Sequence, residues 1–525
     1  MSQQPTQAEQ LLSQGTTRNQ GRTAQRMNIL AGKLIGETVR TTLGPQGMDK
    51  MIVTDQQQTI ITNDGATILR EMNIEHPTAK MIVEIAKTQE YEVGDGTTTA
   101  VVLAGELLKQ AEDLLDQNIH PTTIIKGYRI AATKAQTILQ NISEPVKGKQ
   151  ILEKLASTAI TGKVADEAKQ ELSKLVVAAL EQVDSLEHIK LETKTGASVA
   201  QTELIKGVVL DREKVHGNMP TTVNNAKIAL LDSPLEVRNT DADTKISVQN
   251  PEQFQAFLSM EEQMLQELVQ TIAKTGANVV FCQKGIDEVV QYLLAQRGIY
   301  ACRRVKKSDM QQLARATGGT IITNIQDLNK THIGSAGSVS EQKIGEEHMT
   351  FVQECKESKA VTILVRAMTE HIGAEVKRAL DDAIGNVASA KRAQAVLGGA
   401  GSSEMELARN LRLYAQEYSG KEQLAITSFA KAMEIIPKTL SENAGIDPVD
   451  SITALKSEHD KGKKWAGINV YTGKTLDAFN AGIVEPLPVK THAVKAAADV
   501  AIMILRIDDV IMAGNAARET EIEYD

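Results

Sequence analysis

The stretch from Val93 to Leu108, VGDGTTTAVVLAGELL, joins a glycine-rich loop to an apolar helix. Val101, Ala104, Leu107, Leu108, Ala111, Leu114 and Leu115 recur at helical spacing over a broad face, so this helix is expected in the interior. At its start, Gly94 to Thr99 (GDGTTT) combines groups that suit a polyanion. Glycines admit close backbone approach, free N–H groups and the helix dipole favour phosphate, three hydroxyls add donors, and an Asp can hold Mg2+ against phosphate charge. The same residues also fit an ordinary N-cap, with Asp95 or Thr97 satisfying orphan amides.

Just upstream, Asn63-Asp64-Gly65-Ala66-Thr67 precedes ILREM and repeats the pattern of Asp, Gly and Thr at a helix start. Before it, Met51 to Thr54 and Thr59 to Thr62 read as a hairpin around Asp55-Gln-Gln-Gln, whose connector lacks the usual glycine. A helix is expected from Gly32 to Gly44, with Leu34, Ile35, Val39 and Leu43 at its spacing; it ends in the breaker-rich LGPQG of Leu43 to Gly47. Leu43-Gly44-Pro45 either lies over a nucleotide or merely turns.

Further along, the chain changes character. Val279 to Cys282, Ile299 to Val305 and Thr320 to Thr323 read as strands, separated by helices at Ile286 to Arg297 and Ser308 to Thr317, a β-α-β-α-β pattern. Ser308 with Gln311 suggests a capping box, and Gly318 a helix stop. Asn250 as cap and Pro251 at the first helical position open a long helix carrying Phe254, Phe257, Leu258, Met264, Leu265, Leu268 and Ile272. Its first half either projects or wraps a large core. From Glu404 onward the chain returns to Ala- and Leu-rich helices, so helical ends enclose an α/β middle.

At 525 residues, several domains are expected. A net charge of −9 argues against nucleic acid as a partner, and the one compact basic run, Arg303 to Lys307, reads as a solvated strand end. Three separated cysteines give neither a disulfide framework nor a zinc site and point to a reducing compartment; the histidines show no metal-ligand spacing. The Gln-rich start lacks a signal sequence, and no stretch of about 18 apolar residues occurs, so a cytoplasmic protein with no membrane partner is expected.

Two other features bear on chemistry. Gly398-Gly399-Ala400-Gly401 admits a flat base or ribose, or simply leads into the helix from Glu404. Asp381-Asp382 sits within a helical run where a solvated charge is the default, and sequence alone does not separate the two acids. Gly467 to Thr475, GINVYTGKT, looks like a Walker A loop but has five residues between its glycines where the motif needs four, so it is set aside.

TTLGPQGMDKM (41–51), TNDGATIL (62–69), VGDGTTTAVVLAGELL (93–108), TGK (161–163), TELIKGVVLD (202–211), FCQKGID (281–287), RRVKKSDM (303–310), RALDDA (378–383), AGINVYTG (466–473), GIVEP (482–486) and LRIDDVI (505–511) run in order along the chain. Together they resemble the group II chaperonins, the archaeal thermosome subunits above all, which are related to the eukaryotic cytosolic chaperonin. The resemblance implies a multi-domain α+β chaperonin fold: a mainly α-helical equatorial domain, a small α/β intermediate domain and an α/β apical domain with a helical protrusion. The expected boundaries are 21–146 and 404–525 (equatorial), 147–215 and 370–403 (intermediate) and 216–369 (apical), with a disordered segment at 1–20 and a lid protrusion near 247–270.

The implied function is an ATP-dependent chaperone that encloses unfolded proteins in a double-ring chamber; the alternative is a non-catalytic holdase or a structural ring or filament subunit. By resemblance, Gly44, Gly96, Thr97, Thr98 and Thr99 would hold the phosphates, Leu43 would also bind the nucleotide, and Asp95 would ligate Mg2+. Gly399, Gly401 and Glu485 would surround the nucleoside. Asp64 and Asp382 would activate water, Lys163 would sense the γ-phosphate, and Phe254, Phe257 and Leu258 would meet the lid or client. ATP and ADP with Mg2+, and K+ as a further ion, are the implied cofactors; identical or homologous subunits in two stacked rings and unfolded clients are the implied partners. The chain departs from the family pattern at 383–397, which lacks an acidic-Gly hairpin, at Ala400, which stands within a glycine triplet, and in its tail ETEIEYD.

Overall fold

The computed structural model describes residues 17–54, 57, 59–163, 165, 168–237, 251–355 and 359–512. The connector Asp55-Gln-Gln-Gln, apart from the backbone of Gln57, the cap Asn250, the Phe254 side chain and the tail ETEIEYD lie outside the described residues. The chain divides into two compact units, 1–163 with 385–525, and 164–384.

The first unit is a helical bundle built around Thr97–Asp116. Thirteen residues of that helix are buried, because its apolar side chains cover more than one stripe and must be enclosed on several sides. Helices Gly21–Arg40, Pro77–Val93, Lys421–Met433 and Leu487–Leu505 pack around it. Gly36 and Gly105 permit one close approach, since a Cβ on Gly36 would lie 3.2 Å from the Gly105 Cα. The helix expected over Gly32 to Gly44 in fact spans Gly21–Arg40. Its polar first turns are helical because Ala24, Asn28 and Ile29 reach the core, and it stops short of Gly44, whose φ of 84° is left-handed.

Both ends of the described chain meet in this unit. Thr17–Gln20 pairs antiparallel with Asp509–Met512, and Arg18 bonds Asp509. The expectation of disorder over 1–20 is therefore corrected for residues 17–20, which gain a ladder partner from the far end of the sequence. Lys50–Val53 and Thr59–Thr62 form the expected hairpin. A small sheet orders Val484–Pro486, Ala395–Gly398 and Glu144–Pro145, and Ala466–Ile468 pairs with Thr475–Asp477 in a second hairpin.

The second unit is α/β. Its largest sheet runs Tyr300–Cys302, Val279–Cys282, Thr222–Leu231, Gly334–Ile344, Glu347–Gln353, Gly207–Leu210, with Ile321–Ile322 also on Thr222–Leu231. Side chains alternate between faces, as the two-residue period requires. Val280 and Cys282 join one core with Leu265, Val269, Val290 and Leu294, while Val279 and Phe281 join the other with Met310, Leu313 and Ala316. The helices Pro251–Lys274 and Glu288–Gln296 thus cover one face and Lys307–Thr317 the opposite one. Cys282 and Cys302 fall on opposite faces, are unbridged, and burial pushes both thiols up to about 12. A three-stranded sheet places Val361–Ala367 between Ile189–Thr195 and Glu203–Ile205.

Three local expectations change. The strand at Ile299 to Val305 shortens to Tyr300–Cys302, because Arg304 adopts φ 53° and leaves the extended region. The Ser308–Gln311 capping box does not form: Lys306 is the N-cap, without a side-chain bond, so Ser308 is already inside the helix. Gly318 does end that helix, in left-handed geometry. The long helix spans Pro251–Lys274, with Leu265, Val269 and Ile272 buried but Phe257 and Leu258 39% and 48% exposed, which favours the projecting alternative for its first half. No helix among the described residues is long and apolar enough to cross a membrane.

Candidate functional site

The first unit contains a cavity of about 400 Å3, within the usual range of small-molecule sites. Its walls come from segments far apart in sequence: Leu43, Gly44 and Pro45; Asp95, Gly96 and Thr99; Thr161 and Lys163; Ala400 and Gly401; Glu485 and Lys490.

At one wall the Thr97–Asp116 helix begins. Gly96 is its N-cap, at φ 80°, and no side chain caps the first turn. The N-cap alternative for Asp95 and Thr97 is thereby excluded. The first backbone bond of the helix type runs from Ala100 N to Gly96 O at 3.0 Å, so the amides of Thr97, Thr98 and Thr99 precede the ladder. Together with the dipole they make a positive end equivalent to roughly half a charge. Gly96 has no room for a side chain, since a Cβ would lie 2.7 Å from Val489 Cγ1 and 3.0 Å from Gln89 Nε2. Gln89 fixes the loop from below: its Nε2 donates to Asp95 O (2.8 Å) and Val489 O (3.2 Å), and its Oε1 lies 2.6 Å from His492 Nδ1.

Asp95 itself is half-buried and held at both oxygens. Gly96 N donates to Oδ1 at 2.6 Å, and Asn386 Nδ2 donates to Oδ2 at 2.5 Å. Asp64 caps the Gly65–Glu71 helix through Ala66 N and Thr67 N; Thr97 Oγ1 also donates to Asp64 Oδ1 at 3.4 Å. Gly65 lets the two helix starts touch, because a Cβ there would meet Thr98 Oγ1 at 2.5 Å.

Across the cavity, Gly44 and Gly162 are both left-handed, and a Cβ on Gly162 would meet Pro45 Cα at 2.5 Å. The TGK turn therefore rests directly on the LGP turn, which brings Lys163 into the wall. Gly401 caps the Ser402–Ala415 helix at φ 76° against Pro437. Ala400 is left-handed too, at φ 54°, a conformation that costs a residue with a Cβ about 1–2 kcal/mol.

Charge at the far wall is concentrated in three groups. Lys490 Nζ lies 2.6 Å from Glu404 Oε1 and 2.7 Å from Glu485 Oε2. The Lys490 and Glu404 side chains are 5% and 2% exposed. Burial pushes the Glu485 carboxyl up although Lys490 opposes it; burial would lower Lys490, but its two carboxylate neighbours outweigh that and raise it. Gly399 makes room for Glu485, whose Oε1 would be 2.8 Å from an added Cβ.

Leu43, Gly44, Asp95, Gly96, Thr99, Lys163, Gly401 and Glu485 thus line one cavity, Thr97, Thr98 and Gly399 adjoin those that do, and Asp64 bonds Thr97. Asp382, Phe257 and Leu258 belong to the other unit. There Asp382 is half-buried whereas Asp381 is exposed, a distinction the sequence did not make. Gln89, Asn386, Glu404 and Lys490 were not anticipated, since nothing in their helices marks them. Asn469, Val470 and Tyr471 also line the cavity. They lie in the stretch set aside as a false Walker A loop, which is a hairpin turn and not a P-loop.

Residues 35–515 match the TCP-1/cpn60 chaperonin family. The chain belongs to that family, whose members fold proteins with the help of ATP hydrolysis; it is a chaperonin subunit and an ATPase. More particularly, it is similar to archaeal thermosome subunits. It is 54% identical to thermosome subunit beta of Methanothermobacter thermautotrophicus over 97% of this chain and 96% of that one. It is 55% identical to the thermosome subunit of Methanopyrus kandleri (97% and 95% covered) and 54% identical to that of Pyrococcus horikoshii (98% and 95%).

Proposed function

We propose that the cavity is the ATP site and that turnover there drives closure of a protein-folding chamber. One observation carries this reading: the uncapped start of the Thr97–Asp116 helix shares a single cavity with the Asp95 carboxylate. Gly44, Gly96, Thr97, Thr98 and Thr99 hold the phosphates on backbone amides and hydroxyls, Leu43 also binds the nucleotide, and Lys163 senses the γ-phosphate. Gly399, Gly401 and Glu485 surround the nucleoside, with Asn469 and Tyr471 as further walls.

Asp95 is the metal ligand in this proposal. Among the described residues no group of three or more His, Cys, Asp or Glu side chains could hold a metal alone. That suits Mg2+, which is commonly bound through one or two carboxylates plus substrate phosphates and water. When bound, Mg2+ neutralises charge on the phosphates; K+ is a further candidate ion. Asp64 and Asp382 orient and activate the attacking water. Phosphoryl transfer asks mainly for positioning and charge stabilisation, so two carboxylates suffice without a covalent intermediate.

The proposed domain division is equatorial (21–146 and 404–525), intermediate (147–215 and 370–403) and apical (216–369). Asp382 would then act only once a domain swing completes the site, coupling hydrolysis to lid movement. The Pro251–Lys274 helix belongs to the built-in lid, where Phe254, Phe257 and Leu258 meet neighbours or client. Exposed Met260 and Met264 extend that apolar row. Identical or homologous subunits close two stacked rings in the cytoplasm. Negative-stain images of the purified protein, with Mg2+-dependent phosphate release and client refolding with and without ATP, test the whole: a lone monomer, or refolding indifferent to ATP, refutes it.

A further inference from the structure

The helix Glu370–Ala393 reaches the GDGTTT loop through two glycines. A Cβ on Gly94 would lie 2.9 Å from the Gly385 Cα, and one on Gly385 would lie 3.0 Å from the Gly94 Cα, so backbone meets backbone there. This approach brings the next residue, Asn386, to Asp95. Asn386 is 4% exposed and lines the cavity; its Nδ2 donates to Asp95 Oδ2 at 2.5 Å, while its Oδ1 is buried with no hydrogen-bond partner among the described residues.

Two features of this pair need a reason. A buried acceptor left unpaired is costly, and native proteins rarely keep one without a use. The donor on Asp95 is also a neutral amide, where an ammonium or guanidinium would have given the stronger contact. A neutral donor fixes the carboxylate's direction without cancelling its charge. With Gly96 N on Oδ1 and Asn386 Nδ2 on Oδ2, each oxygen of Asp95 spends one lone pair on orientation and keeps another for a cation.

We propose that Asn386 is a positioning residue for the metal-binding carboxylate: its amide holds Asp95 ready for a divalent cation, and its spare carbonyl accepts from a water in that cation's shell. Mg2+ keeps several of its waters when bound, so such an acceptor has a partner to expect. The inference rests on the assignment of Asp95 as metal ligand. Residues that orient a ligating carboxylate typically contribute 10- to 100-fold in metal affinity.

The test uses the full-length protein with bound ADP and Mn2+ as a spectroscopic stand-in, free Mn2+ being read by electron paramagnetic resonance. Asn386→Leu keeps the volume and Asn386→Ala removes it. Both should weaken Mn2+ binding about 10- to 100-fold while ADP affinity in EDTA stays within about twofold of native. Asp95→Ala serves as reference and should lose Mn2+ affinity as well. If Asp95→Ala binds Mn2+ poorly but both Asn386 variants bind it normally, the positioning role is overturned and the site assignment stands. Normal Mn2+ binding by Asp95→Ala overturns both. A parallel loss of ADP affinity in EDTA would make Asn386 a shaper of the pocket and overturn the proposal.

Discussion

Lys490→Met places a side chain of similar length at the centre of the buried Glu404–Lys490–Glu485 group and strands two carboxylates. At distances of 2.6 and 2.7 Å, and with an effective dielectric of about 20, each contact is worth roughly 6 kcal/mol before desolvation. Desolvation of three ions offsets most of that sum, and breaking such a group by removing one partner typically costs about 3–5 kcal/mol. At a few degrees per kcal/mol, thermal unfolding of the helical unit should fall by on the order of 10 °C. Differential scanning fluorimetry and urea unfolding at fixed protein concentration report it.

The pH dependence has a definite sign. Burial holds the Glu485 carboxyl above its ordinary 4.5, so the stability tied to its protonated form is present below about 4.5 and lost as pH rises through the raised value. Without Lys490 the carboxyl is raised further, so the deficit of the variant should grow on going from pH 5 to pH 8. Adding Glu404→Gln removes one stranded charge and should recover about 1–3 kcal/mol. A Lys490→Met protein within 1 kcal/mol of native, or a double variant less stable than the single one, would refute the argument.

Asp382→Ala should abolish single-turnover ATP cleavage while leaving nucleotide affinity within a few fold; normal cleavage removes it from the water-activating role. Gly96→Ala forces a side chain into φ 80° against Val489 and Gln89, and should weaken ADP binding more than 10-fold by calorimetry, about 1.4 kcal/mol. Ala400→Gly relieves a left-handed alanine, partly offset by the greater freedom of glycine when unfolded, for a net gain of about 0.5–1 kcal/mol in urea. Glu406 is pushed up by burial but held low overall by His459 and Asn410 bonds and Arg409 charge, so its stabilisation is present above about 4.5 and lost as pH falls through the lowered value. Urea midpoints from pH 6 to pH 3 should therefore fall less steeply for Glu406→Gln than for the native protein.

What could be read from the chain was local and periodic. The apolar period of Thr97–Asp116, the hairpin at 50–62 and the β-α-β-α-β segment all follow from spacing that a single element imposes on its own residues. GDGTTT was legible as a helix start suited to phosphate because glycines, hydroxyls and a carboxylate are contiguous there. The capping box at Ser308 failed because where a helix starts depends on where the preceding strand leaves the chain, not on the two box residues.

The rest depended on contacts across hundreds of residues. Sequence by itself determined which elements form and that a phosphate-suited loop opens the central helix, since both are set within one or two helical turns. Only the folded chain decided that Lys490 bridges Glu404 and Glu485, that Asn386 holds Asp95 through the Gly94–Gly385 approach, and that the hairpin set aside as a false Walker A loop walls the same cavity. A buried ion or an orphan amide is defined by what surrounds it, and those surroundings come from distant parts of the chain.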